Sequence, residues 1–141
     1  MSDLRRLGWR EHVALPALGI QRIRVKVDTG ARSSSLHVDA LEEYRDGDQD
    51  RVRFRLRTRR NLKPRQCDAA VLDRREVTDS GGHTSTRIFI ATEIEIGGLR
   101  YLIEVNLAGR TRMMFPMLLG RTALAGRWMV DPACSFLLDS P

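Results

Sequence analysis

The chain has 141 residues, is 42% hydrophobic and carries a net charge of +6, which fits one domain able to close a core without disulfide or metal staples. It has two cysteines, Cys67 and Cys134, no secretory leader pattern and no run near the ~18 apolar residues of a membrane span, so the expectation is a soluble cytoplasmic protein with reduced thiols. Of 24 cationic residues only Lys26 and Lys63 are lysine, an arginine excess that fits either the codon bias of a GC-rich genome or a surface that attracts anions.

Most of the chain alternates with period two, which predicts strands. A short strand at 13–15 stops at Pro16, and Leu18-Gly19 reads as a turn. Residues 20–27 alternate, with Ile20, Arg22, Arg24 and Lys26 on one side and Gln21, Ile23, Val25 and Val27 on the other. Another strand covers 35–41, and a loop covers 46–50. Residues 51–58 alternate strictly: Val52, Phe54 and Leu56 face inward. Arg51, Arg53, Arg55 and Arg57 form an outward comb at ~6.6 Å steps. The comb reads either as the solvated side of a strand or as a track for an extended anion.

Residues 61–66, with Pro64, break the pattern, and 69–77 resume it. Asp79-Ser80-Gly81-Gly82 marks a hairpin tip, because glycine tolerates positive φ. A second hairpin joins 84–96 to 99–107 across Gly97-Gly98. A basic loop spans 109–116, then a strand at 117–119 ends at Gly120. The only helix, at 121–125, is stopped by Gly126. Residues 128–130 and 135–138 are short and extended. Repeats, linkers and low-complexity segments are not apparent. The pattern predicts one predominantly β domain over 1–141, its hairpins folding into a closed sheet.

Residues 25–38 read VKVDTGARSSSLHV, in which Asp28-Thr29-Gly30 ends one apolar alternating run and precedes another. Asp and Gly are what turns select, so the tripeptide alone is weak evidence of chemistry. Its context adds information. A strand end can present Asp28 from a rigid element. MLLGRTAL at 117–124 repeats the strand–glycine–helix order, and a glycine-rich hairpin lies between the two.

In that order the chain resembles the retropepsin family of aspartic proteases: VDTGA at 27–31, SGGH at 80–83, EIGGLRYLIEV at 95–105 and LLGR at 118–121. More narrowly, DTGARSSSLH, LLGRTALAGRWMVDP and SFLL are similar to a bacterial retropepsin-like group. That group is associated with ATP-grasp glutamate ligases and is often labelled ATP-dependent zinc protease. The resemblance covers roughly residues 10–138, and order and spacing carry it more than any one motif.

The resemblance implies an all-β, retropepsin-like closed β-barrel with a flap hairpin and one short C-terminal helix. It implies an aspartic-type peptidase, a hydrolase whose two carboxylates share one proton. Like charges ~3 Å apart cannot both ionise, so one member takes a proton from water while the other donates to the scissile carbonyl. The chain has one Asp-Thr-Gly, so a homodimer with a two-fold axis between two Asp28 residues would supply the pair. By analogy Thr29 holds the loop near the axis and Gly30 lets the backbone approach substrate. Ser80, Gly81, Gly82 and His83 would form the flap over substrate, and the C-terminal SFLLDSP would supply interface strands.

One position departs from the family pattern. Many retropepsins carry an acid directly after Asp-Thr-Gly-Ala, paired with the arginine of the Gly-Arg motif; here that position is Arg32. Arg121 must then find Asp131 or a backbone carbonyl. Arg32 either packs locally or binds a substrate carboxylate, which a guanidinium can do in bidentate geometry. Arg87, just past the flap tip, and Arg110 and Arg112, in the loop before MLLG, could join it.

The zinc label finds no support in ligand spacing. His12, His37 and His83 are scattered, and no His-Glu-x-x-His or Cys-x-x-Cys exists. No phosphate-binding Gly-Lys loop is present either, so neither metal nor cofactor is expected. The leading reading is a homodimeric cytoplasmic aspartic peptidase acting on acidic, glutamate-rich peptides or tails. The resemblance adds a functional association with an ATP-grasp ligase. A second reading is a nucleic-acid or ribosome binding module on a small barrel, motivated by the arginines. Against it, the eight aromatics are not interleaved with the arginines as stacking platforms would need. A third is a retropepsin fold without peptidase activity, used as a scaffold.

Overall fold

The computed structural model describes residues 4–58, 62–79, 81–109 and 114–139. The elements are β1 (Arg5–Leu7), β2 (Arg10–Leu15), a 3₁₀ turn (Pro16–Leu18), β3 (Ile20–Val27), β4 (Ser34–Val38), β5 (Ala40–Asp46) and β6 (Gln49–Leu56). They continue with β7 (Arg65–Ala70), β8 (Asp73–Thr78), β9 (Thr84–Ile96), β10 (Leu99–Gly109), β11 (Met117–Leu119), α1 (Arg121–Leu124) and β12 (Trp128–Val130).

Pairing runs around a ring. β10 pairs with β4, β4 with β11, β11 with β3, β3 with β2, β2 touches β9 at Ala14–Glu95, and β9 returns to β10. β8 hangs from β9 as the outer arm of the flap hairpin. β5, β6 and β7 form a separate antiparallel sheet, and β1 lies parallel to β12. Alternation explains why the two larger sheets share one core. The inward residues Val13, Ile23, Val25, Leu36, Ile90, Ile94, Val105, Met117 and Leu119 pack in one cluster with Val52, Phe54, Leu56 and Cys67 of the three-stranded sheet. The result is the all-β barrel that the retropepsin resemblance implies, with one short helix ended at Gly126, whose φ is 78°.

Several boundaries differ from the sequence expectation. Residues 35–41 divide at Asp39, where the chain leaves the ring for the three-stranded sheet. Residues 69–77 divide at Val71-Leu72, whose N–H groups bond across to the Asp50 and Phe89 carbonyls. In β3, Ile20 is buried and Gln21 exposed, the reverse of the alternation read from 23–27. A register shift is the cause: Val13 faces Ile23, but Leu15 faces Ile20, so a bulge turns Ile20 into the core.

Residues 135–138, expected to be extended, instead form turns, with Phe136 at φ 53°. Their backbone is held by Glu11, a carboxylate with no exposed surface. Glu11 accepts from the N–H groups of Gly8 (2.7 Å), Leu137 (2.9 Å) and Leu138 (3.2 Å). Trp9 N–H donates to Cys134 and Phe136 N–H to Arg10, closing the C-terminal segment onto β2. Those donors are spent within the chain, so residues 135–139 are not arranged as a free interface strand; Ser140 and Pro141 of SFLLDSP lie outside the described residues.

Candidate active site

The loop after β3 is built from short-range constraints. The Asp28 N–H donates to Leu119 O at 2.9 Å, extending the β3–β11 ladder by one step. The chain then turns: Gly30 N–H donates to Asp28 Oδ1 at 3.0 Å and Ala31 N–H to Asp28 O at 3.2 Å. Asp28 is half-buried, whereas Thr29 and Gly30 are exposed.

The second motif clamps this loop from below. Arg121 donates from Nη1 to the Gly30 carbonyl at 3.1 Å and the Thr29 carbonyl at 3.3 Å. Its N–H donates to Ala31 O, and Thr122 donates to Arg32 O from both N–H and Oγ1. Gly120 is required by closeness: a Cβ there would fall 2.5 Å from Ser33 O. Its N–H donates to Ser34 Oγ at 3.0 Å. Arg121 thus finds backbone carbonyls in place of an acid, while Asp131 takes Arg6.

The flap tip is closed by its own acid. Asp79 Oδ1 accepts from Gly81 N–H and His83 N–H, both at 2.9 Å, and Gly82 takes φ 83°. The hydrogen bond from His83 N–H, followed by that from Gly81, holds the Asp79 carboxyl below the usual carboxylate range. Gly81, Gly82 and His83 therefore shape the turn. Ser80, Arg110 and Arg112 lie outside the described residues.

Arg87 joins the flap to the barrel. Its Nη1 donates to Asn106 Oδ1 at 3.1 Å. Ser35 Oγ donates to the same oxygen at 3.0 Å, and Asn106 Nδ2 donates to Ser34 O at 3.0 Å. Asn106 and Ser34 have no exposed surface. The chain Arg87–Asn106–Ser34–Gly120 links the flap strand to the Asp28 clamp through buried polar groups, each with a partner. Sequence reasoning singled out Arg87 but missed Asn106, Ser34 and Ser35; three serines between the Asp28 loop and an apolar Leu36 were the available signal. Glu11 was missed because the strand was read as starting at Val13. Arg32 is exposed, and its side chain has no hydrogen bond or ion pair among the described residues.

No group of three or more His, Cys, Asp or Glu among the described residues could hold a metal ion. Nor is any described helix long and apolar enough to cross a membrane.

Residues 6–141 match the family model described as RimB-like, retropepsin-like aspartic endopeptidase RimB. The chain belongs to the RimB-like family. A Shewanella pealeana protein named probable alpha-L-glutamate ligase is 37% identical over 141 residues, covering 98% of this chain and 31% of that protein. A Desulfotalea psychrophila protein of the same name is 35% identical over 130 residues, covering 90% of this chain and 28% of that one. This RimB-like chain thus spans about a third of the length of the curated relatives it matches. A crystal structure of a Legionella pneumophila protein of unknown function superposes with TM-score 0.82 at 25% identity, covering 97% of this chain and 100% of that one.

Proposed function

We propose that this RimB-like domain is an aspartic peptidase that works as a homodimer, with one Asp28 from each copy, on acidic, glutamate-rich peptides or protein tails. The observation that carries the reading is the Asp28 loop. A half-buried carboxylate stands at the end of a barrel strand, its position fixed by Gly30 N–H and by the Arg121 clamp, with Thr29 and Gly30 exposed beside it. Rigid support of this kind is what proton transfer at a defined atom requires.

One carboxylate cannot serve as base and acid in the same step, and the chain holds a single Asp-Thr-Gly. Two copies meeting at the exposed Thr29-Gly30 edge would bring two Asp28 groups to a two-fold axis, sharing one proton. The ionised member would take a proton from water as it attacks the peptide carbonyl, and the protonated member would give its proton to the carbonyl oxygen. The terminal segment is held by Glu11, so this dimer would form through the Asp28 loops rather than by exchange of C-terminal strands. An acidic substrate fits the net charge and the exposed Arg32 beside the loop, whose side chain has no ion pair among the described residues. It also fits relatives in which such a domain is part of a protein named for glutamate ligation. A cytoplasmic location and a working partnership with such a ligase belong to the same reading.

Purified protein incubated with glutamate-rich and neutral peptides, read by mass spectrometry, tests it. Asp28→Asn should stay folded and lose at least ~100-fold in cleavage rate, the usual scale of a lost general acid–base group. Cleavage by Asp28→Asn at the wild-type rate, or an active monomer in light scattering, would overturn it.

A further inference from the structure

The substrate class proposed above leaves open which side chains read it. The register of the barrel sets one row of residues side by side. Asn106 of β10 faces Ser35 of β4, Ser35 faces Leu118 of β11, Leu118 faces Lys26 of β3, and Lys26 faces Arg10 of β2. All five lie on the side of their strands opposite the core residues Val105, Leu36, Met117, Val25 and Glu11. Four steps between neighbouring strands make the row about 19 Å along the sheet. Asp28 follows Lys26 by two residues on the continued ladder, so the pleat puts it on the same side.

The two cations of this row, Lys26 and Arg10, have no carboxylate within ion-pair distance among the described residues. Lys26 is exposed and has no hydrogen bond or ion pair among the described residues. Arg10 has its guanidinium fixed over the Trp9 and Phe136 rings, 4.7 and 4.9 Å from their centroids, and donates through Nε to Ser135. At the far end Arg87 is held by Asn106. Neither Arg10 nor Arg87 lies within ion-pair distance of a carboxylate among the described residues. Lys26 and Arg10 stand directly opposite each other, and like charges in that relation repel. Such a pair is destabilising until an anion lies between the two.

We infer that Lys26 and Arg10 form a carboxylate-binding pair next to Asp28, and that with Arg87 they read the acidic side chains of an extended glutamate-rich peptide. The inference rests on the peptidase reading for its substrate class. Asn106 and Ser35 are buried, so the open part of the row runs from Leu118 to Arg10, two strand steps or about 10 Å; an extended peptide repeats a same-side residue every ~6.6 Å, so about two same-side positions fit there. Ser35 and Asn106 spend their hydrogen bonds on each other, on Ser34 and on Arg87; they position Arg87 and do not themselves touch substrate. Lys26 is the cleaner reporter, since Arg10 also packs on two rings.

Binding and turnover separate the two claims. In the Asp28→Asn background, fluorescein-labelled hexaglutamate and hexaglutamine are titrated and followed by anisotropy. Lys26→Met keeps the stem and removes the charge. It should weaken hexaglutamate binding about 10- to 30-fold and leave hexaglutamine unchanged, and Lys26→Arg should restore most of the loss. In the Asp28-containing protein, Lys26→Met should lower kcat/KM for glutamate peptides by a similar factor. Equal loss for both peptides, or no loss with hexaglutamate, overturns the inference. If no peptide is cleaved but the charge-dependent binding holds, the peptidase reading fails and the row stands. If cleavage persists with Lys26→Met unchanged, the row fails and the peptidase reading stands.

Discussion

On the outer face of the β5–β6–β7 sheet, Arg51 and Arg53 both reach Asp68, Arg57 reaches Asp39, and Arg74 of the neighbouring β8 reaches Glu43 and Asp50. On the outer face of β2–β3, Arg10 and Lys26 stand opposite each other with no carboxylate in ion-pair distance among the described residues. Both faces come from the same alternation of cations with apolar residues. What separates them is where the acids fall. Acids in β5 and β7 sit outward on strands bonded to the comb, with Glu42 and Asp68 both opposite Arg53. The acid of β2, Glu11, occupies a core position. On the comb, Arg51, Arg53 and Arg57 already have carboxylate partners, which weakens the motive for a nucleic-acid track along it, while the exposed Arg55 has no ion pair among the described residues. On β2–β3, Asp139 takes His12 and Arg22, and the demand for an anion stays with Arg10 and Lys26, the latter two residues before Asp28.

Glu11 is the residue on which this difference turns, and its removal should have the largest effect. A one-residue slip of β2 would turn it outward beside the cations and leave three backbone donors unmet. Glu11→Ala should lower unfolding free energy by at least ~3 kcal/mol, since each buried donor left without a partner costs about 1–3 kcal/mol. Glu11→Gln, which keeps one acceptor oxygen, should fall between. Urea denaturation measures both. A loss under ~1 kcal/mol for Glu11→Ala would mean that water replaces the carboxylate and that the C-terminal segment is not locked by it.

The comparison also marks how far the sequence could be read. Strands at 20–27, 117–119 and 128–130, and the hairpin across Gly97-Gly98, follow from alternation and glycine position, which are local. The Asp28 loop was legible because two distant motifs repeat one order. The pairing of the arginines was not, because it depends on register between strands far apart in sequence, such as Arg53 with Asp68. Nor was the C-terminal turn, because SFLL has the composition of a strand and Glu11, on another strand, takes its donors. The bulge that buries Ile20 sits at a register shift that no alternation in 20–27 announces.

If lack of an acid is what makes a face bind anions, unpairing the comb should create a second such face. Asp68 holds Arg51, Arg53 and Tyr44 at once, and the Tyr44 and Arg51 hydrogen bonds keep its carboxyl below the usual range. Asp68→Asn should raise the salt concentration needed to elute the protein from a polyglutamate column. Tm should change by less than about 3 °C, because exposed ion pairs are screened and contribute little. Arg53→Gln, by contrast, should leave hexaglutamate affinity unchanged. Unchanged elution of Asp68→Asn would mean that the pairing does not silence the comb.

The smallest effect concerns the flap tip, where Arg87 sits near an acid without pairing to it. Asp79 is held ionised chiefly by His83 N–H and then Gly81 N–H, with the charges of His83 and Arg87 adding to them. Its carboxyl in the folded tip lies below its value in an unstructured chain, where a carboxylate of this kind titrates near 4. The order it confers is therefore complete above about pH 4 and is lost as pH falls through the lower, folded value. Amide shifts of Gly81 and His83, followed by NMR from neutral pH downward, should move with a midpoint below 4, while the barrel amides stay in place. Asp79→Asn should remove the step, since an amide oxygen accepts without titrating. Arg87→Met should move the midpoint slightly upward, because it deletes one of the charges that favour the carboxylate. A midpoint at or above 4 would show that the tip does not hold Asp79 in its ionised form, and that Arg87 exerts no field there.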